Sequence, residues 1–146
     1  VAGVLIFVHF LGFTGMPAAV SNQIVSLDAH PTVILICILA LYLVLGMFLE
    51  PLGAMLLTLP ILLPIIATTG FSLVWFGVLL TKFLEIGMIT PPIGLNVFVI
   101  KGVVGELATT STIFRGVMWF LVSDLIVIIL LIAFPDIVLY LPSLMD

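Results

Sequence analysis

At 146 residues, 64% hydrophobic and 7% charged, with a mean hydropathy of +1.58, the chain carries more apolar surface than a soluble core of its size could cover. Three basic and seven acidic side chains give a formal charge of −4, too sparse and too acidic for a nucleic-acid surface. A single cysteine, Cys37, excludes an intrachain disulfide and a thiolate metal cluster. What remains is an all-α integral membrane protein with lipid as its main solvent.

The chain starts at Val1, already inside an apolar segment and with no positively charged leader, so it is expected to be a portion of a longer membrane protein. Residues 1–26 are long enough for one transmembrane segment, with Gly15-Met16-Pro17 expected to kink or divide it. His9 fits an interhelical hydrogen bond or, alternatively, a proton or ion role. A polar cluster from Ser21 to Pro31 reads as a loop, and Asp28 through Pro31 suit the start of a helix.

Residues 32–69 would reach ~57 Å as one helix, against ~30 Å of hydrocarbon. Their centre, Gly46-Met47-Phe48-Leu49-Glu50-Pro51-Leu52-Gly53, places a charge, a proline and two glycines where a plain span wants none. The expected solution is a re-entrant helical hairpin with its tip near 48–53. Pro51 then opens the outgoing helix, and a buried Glu50 sits at its N-terminus. Two ordinary spans joined at Glu50 are the alternative. Pro60 and Pro64 read as kinks in the outgoing arm.

Residues 71–104 form a second long apolar run, interrupted over 88–96 by Met88-Ile89-Thr90-Pro91-Pro92-Ile93-Gly94-Leu95-Asn96. Two adjacent prolines remove two backbone donors and bar a continuous helix. Thr90, which precedes them, is pushed toward extended geometry. A helix broken at membrane depth survives only inside protein or beside a polar cavity, as at transporter binding sites. Thr90 and Asn96 flank the break; with backbone carbonyls they could ligate a dehydrated alkali cation, or they could cap loose amides. Lys82 and Glu85, spaced i, i+3, can pair on one face, or Lys82 can meet an anionic substrate. Residues 107–115 read as an interfacial segment and 116–134 as a transmembrane helix. Asp124, near the middle of that helix, must face protein, as an interhelical hydrogen bond or a functional carboxylate. Phe134-Pro135 and Pro142 then stop the chain in a short apolar tail.

Several stretches resemble one family: Gly46-Met47-Phe48-Leu49-Glu50, Leu59-Pro60-Ile61-Leu62-Leu63-Pro64-Ile65, Trp75-Phe76-Gly77-Val78 and Glu85 through Asn96. Phe134-Pro135 and Tyr140-Leu141-Pro142 agree as well. The chain resembles the C-terminal part of the large membrane subunit of TRAP transporters, the DctM-like family. The resemblance implies the second of two inverted repeats of an elevator-type carrier. It implies sodium-coupled import of organic acids such as C4-dicarboxylates or sugar acids across a bacterial or archaeal inner membrane. The partners it implies are a small membrane subunit and an extracytoplasmic solute-binding protein, and it implies no cofactor beyond the coupling Na+. Carried over by motif, the ion and substrate site would use the backbone around Glu50, Pro51, Gly53, Gly87 and Pro91, with side chains of Thr90 and Asn96. Lys82 and Asp124 are secondary candidates, and the resemblance leads one to expect a neutral residue in place of Lys82. A membrane scaffold without transport, or a related inverted-repeat carrier without a binding protein, is the competing reading. An intramembrane enzyme is disfavoured, because no second carboxylate, Ser/His pair or metal-ligand spacing joins Glu50 or Asp124.

Overall fold

The computed structural model describes residues 2–26 and 29–144, and every regular element among them is helical. The order is α1 (Ala2–Thr14), α2 (Met16–Ser26), α3 (Pro31–Phe48), α4 (Pro51–Thr69), α5 (Leu73–Ile89), α6 (Leu95–Val104), α7 (Thr110–Ala133) and α8 (Asp136–Ser143). Only α3, α4 and α7, with 18, 19 and 24 residues, are long and apolar enough to cross a membrane among the described residues.

Local chemistry sets the boundaries. Residues 2–26 form two helices, divided at the Gly15-Met16-Pro17 motif. Gly15 sits at φ +68, a left-handed backbone that closes α1, and neither 13 nor 11 residues reaches the ~20 of a crossing. Asp28 lies outside the described residues. The cap of α3 is His30, whose Nδ1 accepts from the Thr32 amide at 3.3 Å ahead of Pro31 at the first turn. Pro60 and Pro64 lie within α4 and do not end it; Gly70 does, at φ +79.

Toward the C-terminus the boundaries differ from the sequence reading. The segment expected to lie at the interface over 107–115 is mostly part of α7, which starts at Thr110 rather than 116. The reason is a cap: Thr109 Oγ1 accepts from the Thr112 amide at 3.2 Å and draws the threonine run into the helix. Only a 3-10 turn, Gly105–Leu107, stays outside. Lys101 closes that corner by donating to the Gly105 carbonyl and, at 2.8 Å, to that of Ala108. The apolar tail adds one short helix, α8.

The core lies between α3 and α5, the most extensive helix pair, with Tyr42, Phe76, Leu79, Leu80 and Leu84 fully buried. Leu62, Ile65 and Ile66 of α4 close the same cluster, and the Tyr42 hydroxyl hydrogen-bonds that of Thr58. By contrast, α7 buries only Ile128.

Candidate functional site

The starts of α3 and α5 meet: Thr32, Leu35, Phe71 and Trp75 line one cavity of about 310 Å³. Their ends meet as well. A Cβ on Gly46 would stand 2.6 Å from the Leu84 carbonyl oxygen, and one on Gly87 would stand 2.6 Å from that of Leu43 and 2.7 Å from Gly46 Cα. The two helices are therefore parallel, and their last turns touch backbone to backbone where any side chain would part them. Lipid gives helix association no hydrophobic drive, so close approach through small residues is the main attraction available.

This crossing brings the two sequence interruptions to one end of the core. At the first, α3 ends with Phe48 and α4 begins with Pro51. Glu50 joins them, its Oε1 accepting from the Leu52 amide at 3.0 Å and its Oε2 from Gly53 at 2.8 Å. The carboxylate is exposed in this chain rather than buried, and both oxygens satisfy orphan amides of α4.

At the second, α5 stops at Ile89. An unbroken helix would bond the carbonyls of Gly87 and Met88 to the amides of residues 91 and 92, and both are prolines without an N–H. The Thr90 amide donates to Gly87 instead, at 3.1 Å, and the Thr90 hydroxyl donates to the Ile86 carbonyl at 2.6 Å. The Pro91–Pro92 bond is cis, and Gly94 turns the chain into α6 at φ +61. That position has a double need for glycine, because a Cβ would also lie 3.1 Å from the Phe114 ring. No side chain caps the N-terminus of α6.

Asn96, in the first turn of α6, lines a groove of about 400 Å³ with Glu85, Ile89, Ile100, Val117, Phe120 and Asp124. Beside it, Lys82 Nζ donates to Glu85 Oε2 at 2.9 Å and to Asp124 Oδ1 at 3.0 Å. Among the candidates, Gly87 thus packs on the Glu50 corner's helix, Asn96 shares a groove with Asp124, and Lys82 joins Asp124 across two helices. Among the described residues no three His, Cys, Asp or Glu side chains gather as a metal-binding group, so a cation here would rely on carbonyl, hydroxyl and amide oxygens. Two contributors escaped the sequence reading. Gly46 was legible only as part of a corner, and Trp75 only as part of a family motif; its indole donates to the Leu131 carbonyl at 2.8 Å.

A family model described as "Tripartite ATP-independent periplasmic transporter, DctM component" matches residues 1–137. The chain belongs to the DctM family. DctM proteins are transporter permeases, not enzymes, and this chain is part of a multi-pass membrane protein. It is 36% identical over 126 residues to the sialic acid TRAP transporter permease protein SiaT of Haemophilus influenzae, covering 86% of this chain and 20% of that protein. To the sialic acid large permease SiaM of Vibrio cholerae it is 35% identical over 144 residues, covering 99% and 33%. To the C4-dicarboxylate large permease DctM of Pseudomonas aeruginosa it is 30% identical over 143 residues, covering 98% and 33%. It thus spans between a fifth and a third of the length of these relatives. No solved structure matches it.

Proposed function

We propose that the chain forms the C-terminal part of the large permease of a sodium-driven, binding-protein-dependent transporter that imports an organic acid. The observation that carries this is the Gly46–Gly87 crossing. It gathers the C-termini of α3 and α5 and the N-termini of α4 and α6 at one end of the core. Carbonyl ends favour a cation and amide ends an anion, so a sodium ion and a substrate carboxylate would find complementary backbone charge at the same end of the core. Glu50 occupies the amides of α4, which leaves the uncapped start of α6 for the carboxylate.

In this reading α3 and α4 form a re-entrant hairpin, α5 and α6 are one broken transmembrane helix, and together they are the second inverted repeat of an elevator-type carrier. The ion would be held by carbonyls around Glu50–Gly53 and Gly87–Pro91, with Thr90 and Asn96 supplying side-chain oxygens. The missing first repeat, a small membrane subunit and an extracytoplasmic binding protein would complete a system in a prokaryotic inner membrane. C4-dicarboxylates and sialic acid, the solutes named for the relatives, set the substrate class to try first.

The test is uptake of labelled organic acids into proteoliposomes holding the full-length permease, its small subunit and its binding protein. Uptake that requires an inward sodium gradient is expected, and Asn96→Ala should raise the sodium concentration for half-maximal rate. Uptake indifferent to sodium would move coupling to another ion; no uptake from a correctly assembled complex would favour a scaffold role.

A further inference from the structure

Two polar ties cross from α5 to α7: the Trp75 indole to the Leu131 carbonyl and the Lys82 ammonium to the Asp124 carboxylate. They are seven residues apart on both helices, running in opposite directions. Seven residues advance a helix ~10.5 Å and return it to nearly the same face. One more step of seven reaches Ile89 and Val117, which both line the groove that Asn96 enters. The pairs Trp75/Leu131, Lys82/Asp124 and Ile89/Val117 therefore mark a single antiparallel seam, polar at its first two rungs and open at the third.

The middle rung has a particular burden. Asp124 stands ~21 Å from the start of α7 and ~14 Å from its end, which puts it near mid-depth in a helix long enough to cross. A carboxylate there is costly unless matched. Its side chain is 23% exposed and that of Lys82 26%, whereas Glu85, the second acceptor of the same ammonium, is 54% exposed. Glu85 lies one turn along α5 and steadies the ammonium from its own helix. Asp124 is the interhelical partner.

We propose that Lys82 and Asp124 are positioning residues: their ion pair sets the register of α7 on α5, and through it the shape of the groove between Asn96, Ile89 and Val117. Apart from the Trp75 tie to Leu131 and the Phe114 ring beside Gly94, α7 has only Ile128 fully buried to help set that register. A slip by one residue would turn Asp124 about 100° away from Lys82 and strand both charges. The register claim stands on geometry alone; its consequence for sodium rests on the function proposed above.

The experiment uses the full-length permease with its partners, in a background without other cysteines, Cys37→Ala included. Ile89→Cys and Val117→Cys place two thiols on the groove, to be joined by a short bifunctional thiol reagent. Lys82→Asp alone and Asp124→Lys alone should each slow cross-linking about tenfold, the order of one charge-assisted hydrogen bond. The two together should restore the parental rate. Equal rates in all four proteins, or an exchange no better than the singles, would overturn the proposal. Where a reversed single fails to reach the membrane, Lys82→Gln gives the same reading, and an unchanged rate there also overturns it. Sodium half-saturation is read on the same proteins. Cross-linking that follows the charges while sodium dependence stays fixed would keep the register lock and count against the ion site.

Discussion

Helix α5 meets its two main neighbours by opposite means. Against α3 it runs parallel and presses backbone on backbone at Gly46 and Gly87, with Leu79, Leu80 and Leu84 fully buried along the way. Against α7 it runs antiparallel and holds by two polar ties across an otherwise sparsely buried face. The first seam is specified by volume, summed over many atoms and intolerant of one more carbon. The second is specified by a few directional bonds, each a small share of the total and each replaceable. A membrane protein without a hydrophobic drive between helices uses both, and places the rigid one where two chain breaks must be held together.

The sharpest way to break the contrast is Gly87→Val. The new side chain would fall on the Leu43 carbonyl and on Gly46, so α3 and α5 must separate, at a cost of roughly 3 kcal/mol or more. Thermal unfolding of the full-length permease in detergent should shift to clearly lower temperature, and the uptake proposed above should fall to background. Unchanged stability would mean that the crossing is looser than described. A milder cut is Trp75→Phe, which keeps the ring beside Phe71 but removes the N–H from the Leu131 carbonyl. A loss of about 1 kcal/mol is expected by the same melting measurement, with uptake retained. The smallest effect belongs to Thr109→Ala, which uncaps α7 without touching either seam. It should cost no more than about 1 kcal/mol and leave sodium half-saturation where it was; a shift there would tie the start of α7 to the site.

The same contrast explains what the sequence disclosed. Breaks written in local chemistry were legible: Pro51 after Glu50, and Pro91-Pro92 with Gly94, each alter backbone bonds within a turn of themselves. Glu50 at the head of α4 could be placed, but not its exposure, which depends on what surrounds the corner. The pairing of Gly46 with Gly87 was out of reach, because a glycine records that space is short without naming what fills it. Lys82 already had Glu85 as a partner one turn away and Asp124 was a carboxylate that had to face protein; only the fold brings these two, 42 residues apart, together. The early start of α7 was hidden for a different reason. Four consecutive Ser and Thr residues suit a turn as well as a capped helix, and the choice falls to one hydroxyl, that of Thr109.

The opposed directions of the two seams also give the molecule a mechanical grain. Force applied at the C-terminal end of α7 reaches the Trp75–Leu131 tie first and the Lys82–Asp124 pair only after that tie has parted. The antiparallel seam therefore opens like a zipper, one bond loaded at a time. The parallel pair of α3 and α5, pulled along its axis, loads the whole glycine crossing in shear at once. Pulled from the end of α7 once α8 has left the core, the seam should release the Trp75 tie before the Lys82 pair, while α3 and α5 hold to a higher force.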